Sequence, residues 1–269
     1  MLTKRLITAA ILLPIVVLVT LLLDEMLFRI ILALVIAVAG WEYCSLISIK
    51  QPVFRVLYVF ALTIIAFIFT SINAWLMPII IASSAWWLLN TLWVFCYPKF
   101  TSLWHGSHGV RLLNGLFIFV PMFVALAALQ KNNSELVLLL LALIWSADSG
   151  AYFAGKAFGS NKLCPRVSPG KTIEGMIGGT VASIAAMLFY LELFIEHIST
   201  EQYLVYVALS VVVSIVSVIG DLFESLHKRL ANVKDSGALL PGHGGLFDRI
   251  DSLTSSAPVF CLVYYGFLL

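Results

Sequence analysis

Long runs of apolar residues recur along the whole chain and are separated by short polar segments. The runs long enough to be considered as membrane spans cover residues 6–23, 27–47, 53–72, 74–95, 111–129, 136–155, 173–195, 203–223 and 253–269. A helix needs about 20 predominantly apolar residues to cross the hydrocarbon of a bilayer, whereas the strands of a membrane β-barrel are shorter and alternate in polarity. The pattern therefore predicts an all-α, polytopic integral membrane protein with about nine transmembrane helices.

Composition supports this prediction. The 269 residues are 61% hydrophobic and 11% charged, and their mean hydropathy is +1.03, far above the values of soluble domains. The first apolar run is too long for the core of a signal peptide and has no small-x-small cleavage site before Asp24, so we interpret it as a retained helix. The four cysteines lack C-x-x-C spacing, which favours core residues over a zinc site or a disulfide framework.

The distribution of basic residues predicts the orientation. With the N-terminus in the cytoplasm, 14 of the 16 lysines and arginines fall on the cytoplasmic side, and only Arg29 and Lys131 fall on the other. Because cytoplasmic loops are enriched in Lys and Arg, we expect an odd number of spans and a periplasmic C-terminus. The two most charged loops, 156–172 and 224–252, then share the cytoplasmic face. Residues 1–130 are interpreted as a helical scaffold and residues 131–269 as the part that carries the chemistry.

The segment between the last two apolar runs mixes acids, bases and glycines. Asp221 lies at the end of the eighth run, and Asp248 and Asp251 are three residues apart, so that both would project from one face of a helix. Carboxylates are the hard oxygen ligands that Mg²⁺ uses together with water and substrate phosphates. A solvated charge run, the alternative, would not explain this spacing. Nearby basic residues can neutralise phosphate oxygens; they are Lys228, Arg229, Lys234 and Arg249.

A glycine-rich turn follows at 241–245. Gly244 and Gly245 leave backbone N–H groups unobstructed by side chains. His243 is either a ligand contact or a plain turn residue, and the sequence leaves both open. His227 is expected to be an interfacial residue without a direct role.

A carboxylate also occurs inside the sixth apolar run, at Asp148. An intramembrane carboxylate is costly and generally faces a polar cavity or a partner. The structural alternative is a helix-end carboxylate paired with a neighbouring lysine for folding.

The segment 167–179 combines hydroxyl, glycine and lysine residues. Ser168 and Pro169 can start a helix, and Lys171 and Thr172 would present a cation and a hydroxyl at a helix N-terminus suited to phosphate. Taken alone, the segment could equally be a helix cap. Glu174 opens the following helix, whose glycines are expected to allow close helix packing rather than touch a ligand; they are Gly175, Gly178 and Gly179.

Together these motifs resemble those of the phosphatidate cytidylyltransferases, or CDP-diacylglycerol synthases. The resemblance is carried by S-L-H-K-R at 225–229, K-D at 234–235, P-G-H-G-G-L-F-D-R-I-D at 241–251, S-P-x-K-T-x-E-G at 168–175 and W-x-x-D-x-G-A-Y at 145–152. Chain length and a many-helix body fit the family across the whole sequence. Gly170 departs from the pattern, because many members carry a basic residue there, and this would weaken phosphate binding slightly.

The resemblance implies a nucleotidyltransferase that converts CTP and phosphatidate into CDP-diacylglycerol and pyrophosphate with Mg²⁺. It implies Asp221, Asp248 and Asp251 as metal ligands and catalytic residues, with Lys228 and Arg229. Substrate binding would involve Asp148, Ser168, Lys171, Thr172, Glu174, Lys234, Asp235, His243, Gly244, Gly245 and Arg249. We expect a homodimer surrounded by lipid in the bacterial inner membrane, with no nucleic-acid partner; whether a monovalent cation also binds is left open.

Two other functions use similar elements. CDP-alcohol phosphotransferases also place acids near a membrane surface, but their D-G-x-x-A-R…G-x-x-x-D-x-x-x-D pattern is missing. An ion-coupled transporter could use Asp148 as its coupling site. Transporters often have interrupted helices in both halves of the chain, whereas here the interruptions are confined to the second half.

Overall fold

The computed structural model describes residues 2–240, 242 and 244–269, and most of them are helical. The all-α prediction is therefore confirmed. The helices are α1 (Leu2–Leu22), α2 (Glu25–Leu46), α3 (Pro52–Thr70), α4 (Leu76–Cys96), α5 (Thr101–His105), α6 (His108–Asn132), α7 (Ser134–Phe158), α8 (Ile173–Phe194), α9 (Thr200–Leu230) and α10 (Phe247–Val263). A 3₁₀ turn, Asn73–Trp75, precedes α4, and a π turn, Tyr264–Leu268, follows α10.

Within the described residues, seven helices are long and apolar enough to cross a membrane, and they are α2, α3, α4 with its 3₁₀ turn, α6, α7, α8 and α9. Large apolar side chains project outward from them, including Leu34, Phe60 and Val181. Such a surface suits lipid rather than water, so the protein is a multi-pass membrane protein. α10 has only 17 residues, and nine spans with the termini on opposite faces therefore stay a prediction.

Helix α6 lies at the centre of the bundle and contacts α2, α3, α4, α7 and α10. Its Phe119 and Phe123 are fully buried. Polar contacts also hold α2 against it. Tyr43 donates a hydrogen bond of 2.8 Å to the carbonyl oxygen of Arg111, and the Arg111 guanidinium donates one of 2.8 Å to the carbonyl oxygen of Ile47. The first half of the chain is thus fixed against the core helix.

Helices α7 and α8 pack through small residues. A Cβ atom added to Gly179 would lie 2.6 Å from the carbonyl oxygen of Ala147, and one added to Gly150 would lie 2.7 Å from that of Gly178. Real Cβ contacts are not that short, so only glycine permits this approach. The prediction that Gly175, Gly178 and Gly179 allow close helix packing is confirmed, and Asp148 lines a cavity with Gly175 and Met176 of α8.

The segment 156–172 contains structure that the sequence did not predict. Strand β1 (Lys162–Cys164) pairs antiparallel with β2 (Ser168–Thr172). The expectation that Ser168 and Pro169 start a helix is wrong, because both belong to the hairpin. Helix α8 begins at Ile173, where the Thr172 hydroxyl accepts a hydrogen bond of 3.1 Å from the Gly175 N–H and acts as the N-cap.

The charged segment 224–252 is also more ordered than its composition predicts. α9 continues to Leu230 and α10 begins at Phe247, so a shorter connection, residues 231–246, joins them. His227 lies in the extended part of α9 and is fully buried against Tyr43 and Phe223. Its expected interfacial position is wrong, because this turn of α9 packs under α2 rather than entering solvent.

Candidate active site

A cavity of about 470 Å³ lies between α7, the β-hairpin, α8 and α9. Its polar lining includes Asp148, Tyr152, Lys156, Lys171 and Asp221. The Lys171 Nζ atom lies 2.8 Å from Oδ2 of Asp221, and both side chains are partly exposed. The volume is typical of small-molecule sites, which hold a few polar groups in a mostly apolar wall. The structure thus brings together three of the residues predicted from separate motifs.

Helices α9 and α10 approach most closely at Gly220. A Cβ atom there would lie 2.5 Å from both the carbonyl oxygen of Asp251 and the Ser255 hydroxyl. This approach sets Asp251 beside Asp221, the next residue of α9. The buried Asp251 carboxylate interacts electrostatically with Asp221, with Lys171 and, more weakly, with Asp148. We refer to these four side chains, Asp148, Lys171, Asp221 and Asp251, as the cavity group.

Asp248 lies one helical turn before Asp251 and has different partners. Its Oδ1 atom is 2.6 Å from Lys228 Nζ, which is also 2.6 Å from the buried carboxylate of Glu224. Its Oδ2 atom accepts hydrogen bonds from the backbone N–H and hydroxyl of Ser236, both 2.9 Å, and from the Gly245 N–H at 2.8 Å. Burial alone would raise the pKa of the Asp248 carboxyl, but these donors outweigh it and lower the pKa below the ordinary value. Asp248 is therefore an anion.

Glu42 of α2 completes this region, and the sequence did not single it out. Its side chain is buried. Oε1 accepts a hydrogen bond of 3.0 Å from the Leu246 N–H, and Oε2 accepts one of 2.8 Å from the Phe247 N–H. Because these are free N–H groups at the start of α10, Glu42 caps that helix. A carboxylate inside an apolar run was the available signal, the same signal that identified Asp148.

Two predicted substrate residues serve local structure. Thr172 is the N-cap of α8. The Glu174 carboxylate accepts hydrogen bonds of 2.7 Å from the Ser160 hydroxyl and from the Asn161 side-chain amide. Together they fix both ends of the hairpin that carries Lys171. The predicted role of Thr172 and Glu174 in substrate binding stays a prediction.

The remaining predicted residues lie around these groups. Arg229 donates a hydrogen bond of 3.1 Å to the Val167 carbonyl oxygen of the hairpin. Ser168 is half-buried in β2, whereas Lys234, Asp235 and Arg249 are exposed. Gly244, with φ +82°, forms a bridge to Leu240, and the Gly245 N–H is already bonded to Asp248. His243 lies outside the described residues.

The donor set can be tested against the predicted metal. Among the described residues, no group of three or more His, Cys, Asp and Glu side chains is arranged to hold a metal ion as it stands. However, Asp148, Asp221 and Asp251 interact electrostatically beside one lysine, and a set of carboxylate oxygens is what Mg²⁺ prefers. The chemistry of the cavity group therefore fits a divalent cation, which would share these carboxylates with Lys171.

Comparison with known proteins identifies the family. The model of the Cytidylyltransferase family matches residues 3–267. The chain belongs to this family. As a member of the cytidylyltransferase family it is a nucleotidyltransferase, and its relatives agree over the whole length. It is 38% identical to the phosphatidate cytidylyltransferase of Pseudomonas aeruginosa over 268 residues, which is 99% of this chain and 98% of that protein.

Other members of the cytidylyltransferase family match as well. The phosphatidate cytidylyltransferase of Haemophilus influenzae is 33% identical over 285 residues, covering 98% of this chain and 99% of its own. That of Bacillus subtilis is 42% identical over 150 residues, covering 55% of this chain and 52% of its own. The resemblance predicted from the motifs is confirmed.

Proposed function

We propose that this protein transfers the cytidylyl group of CTP to phosphatidate and forms CDP-diacylglycerol and pyrophosphate. The observation that carries the proposal is similarity to phosphatidate cytidylyltransferases over nearly the full chain. The cavity supports the proposal, because charged side chains of α7, the hairpin and α9 line it and Asp251 of α10 interacts electrostatically with them.

The chemistry needs no protein nucleophile. A phosphate oxygen of phosphatidate attacks the α-phosphorus of CTP, and a new P–O bond forms. The bond from that phosphorus to the β-phosphate oxygen breaks, and pyrophosphate leaves with the electron pair. Since the attacking group is already an anion, the protein acts by positioning two polyanions and by offsetting their charge.

We assign different roles to the basic residues around the site. Lys171 lines the cavity and is the cation best placed to contact a phosphate. Lys228 instead lies between two carboxylates, and we assign it to holding Asp248. Arg229, Lys234 and Arg249 lie nearer the surface and would guide the phosphates toward the cavity.

A metal ion belongs to this proposal because of charge. Asp148 and Asp221 line the cavity together with Lys156 and Lys171, so the lining has no excess of positive charge to offset that of a polyphosphate. Mg²⁺ held by Asp221 and Asp251, with Asp248 one turn away, would neutralise phosphate charge when bound. The protein side chains bind and orient the substrates around it.

The surroundings follow from the predicted orientation. CTP is cytosolic, so the cavity would open to the cytoplasm at the inner membrane. Phosphatidate would enter sideways from the inner leaflet, past Tyr152 of α7, which is exposed and lines the cavity. A homodimer formed through the N-terminal helices remains part of the proposal.

Labelled CTP tests the proposal. Protein purified in detergent is incubated with α-³²P-labelled CTP, phosphatidate and Mg²⁺, and the expected products are labelled lipid and unlabelled pyrophosphate. Omitting phosphatidate or chelating Mg²⁺ should stop both. A CDP-alcohol phosphotransferase would instead consume CDP-diacylglycerol and release CMP, and a transporter would move ions without labelling lipid. Absence of phosphatidate-dependent label in an otherwise folded preparation would refute the proposal.

A further inference from the structure

Glu42 is far from the catalytic motifs in sequence but lies directly beneath the connection between α9 and α10. It is 7% exposed. Besides capping α10, its Oε2 atom lies 3.1 Å from the Ser236 hydroxyl. The two oxygens therefore meet three donors, two at the start of α10 and one, Ser236, within the connection. A single side chain of α2 thus joins both ends of residues 236–247.

The Ser236 hydroxyl connects Glu42 to Asp248. It lies 3.1 Å from Oε2 of Glu42 and 2.9 Å from Oδ2 of Asp248. A hydroxyl has one proton, so the two carboxylates share one donor. The Ser236 N–H, also 2.9 Å from Asp248 Oδ2, keeps Asp248 bonded when the hydroxyl turns toward Glu42. Glu42 is thereby one side chain removed from a residue of the predicted metal set.

The backbone around Glu42 is built to admit its carboxylate. A Cβ atom on either Gly237 or Gly245 would lie 2.7 Å from Cδ of Glu42. These two glycines let the connection close over the carboxylate from both sides. The following Phe247 packs edge-on against Tyr43, the neighbour of Glu42 in α2. The position of α10 is therefore set by two adjacent residues of α2.

We propose that Glu42 is a positioning residue for cytidylyl transfer, acting through Ser236 and the start of α10 on Asp248 and Asp251. This inference rests on the proposed function. Removing the charge of Glu42 leaves the fold of α2 intact but loosens the beginning of α10. The two acids of α10 then lose their fixed distance from Asp221. Groups that orient ligating carboxylates typically contribute about 10- to 100-fold to activity or metal affinity.

The variant Glu42→Gln tests this with little change of shape. Its amide has one oxygen and one NH₂ group, so at most one of the Leu246 and Phe247 N–H groups keeps its acceptor. We expect kcat to fall about 10- to 100-fold, the Mg²⁺ requirement to rise, and the KM for CTP to change much less. Hydrogen exchange of peptides from residues 236–248 should accelerate, while peptides from α6 should not change.

Asp24→Asn is the matched control. Asp24 caps α2 through a bond of 2.9 Å to the Leu27 N–H, so this variant also exchanges a capping carboxylate for an amide. Because Asn caps a helix about as well as Asp and Asp24 is exposed, this variant should keep both Tm and kcat near wild type. Ser236→Ala supplies a second readout: because Glu42 acts partly through this hydroxyl, the loss in the double variant should be smaller than the product of the two single losses.

The outcomes separate the two proposals. Wild-type protein without phosphatidate-dependent turnover refutes the proposed function, whereas the exchange experiment still reports whether Glu42 orders the connection. If wild type is active and Glu42→Gln keeps its kcat and its exchange pattern, the positioning role is wrong. If Glu42→Gln lowers Tm and kcat but leaves the Mg²⁺ requirement and the hydrogen exchange of residues 236–248 unchanged, Glu42 is only a structural cap, which also overturns the proposal.

Discussion

Oδ2 of Asp221 lies 2.8 Å from the Nζ atom of Lys171, which joins the middle of α9 to the short hairpin before α8. Neither residue neighbours the other in sequence, and each belongs to a different charged motif. Their pairing keeps a lysine and a carboxylate at the wall of the same cavity. A substrate phosphate would compete with Asp221 for Lys171, and a divalent cation would compete with Lys171 for Asp221.

Asp221→Asn should therefore lower turnover sharply. The amide keeps the size of the side chain but removes the charge that would hold Mg²⁺ and orient Lys171. We expect kcat for labelled CTP incorporation to fall by about 100-fold or more, with little loss of folded protein because the pair is partly exposed. Glu192→Gln, an exposed change at the far end of α8, should retain wild-type turnover. Wild-type kcat in Asp221→Asn would remove this residue from the site.

Lys228→Met should act on stability first. Lys228 is the cation between the buried carboxylates of Glu224 and Asp248. Removing it leaves two neighbouring acids without a cation, although Asp248 keeps its bonds to Ser236 and Gly245. Breaking a buried ion pair from one side costs about 3–5 kcal/mol, so the apparent Tm in detergent should drop clearly. Adding Glu224→Gln should restore part of the Tm, because one of the two anions is then neutral. No recovery in the double variant would contradict the charge explanation.

Gly220→Ala should separate α9 from α10. Its methyl group would collide with backbone of α10 at Asp251, and the backbone has little freedom to move away. We expect a loss of both apparent Tm and turnover, since Asp221 and Asp251 are carried on the two displaced helices. Gly266→Ala offers a control near the end of the chain, because a Cβ atom there meets nothing within 4 Å. A fully active Gly220→Ala protein would show that the close approach is not needed.

Thr172→Ala should loosen the hairpin that carries Lys171. The change removes the N-cap of α8 and should cost about 1 kcal/mol. We expect the KM for CTP to rise more than kcat falls, because the neighbouring lysine is less well placed. Thr172→Ser keeps the capping hydroxyl and should recover the Tm. Equal Tm values for the Ala and Ser variants would rule out the cap as the cause.

The sequence predicts a large part of this arrangement, for physical reasons that can be named. Apolar runs of spanning length identify the helices, because lipid tolerates few other patterns. The spacing of Asp248 and Asp251 places them on one helix, and the structure agrees. The partner of each charge is less predictable. Lys228 follows Glu224 by four residues, which indicates a pair, but nothing in the local sequence shows that Asp248 would share it.

Contacts between segments that are distant in sequence explain the remaining differences between the prediction and the structure. The strand at Ser168–Thr172 exists because Lys162–Cys164 pairs with it, and a single Pro after a Ser also fits the start of a helix. The first residue of α10 depends on Glu42, which belongs to a helix near the other end of the sequence. Local sequence propensity cannot predict either contact, since both form only when distant segments pack together.

The dependence of α10 on α2 has a consequence for biogenesis. Helix α10 is synthesised after α2, and its first turn is completed by a side chain of that earlier helix. A nascent chain could have most of its helices inserted in the membrane before the N–H groups at the start of α10 meet their acceptor, Glu42. Competence would thus depend on α10 reaching α2, and fragments released before α10 is made would remain in the membrane as inactive helical bundles.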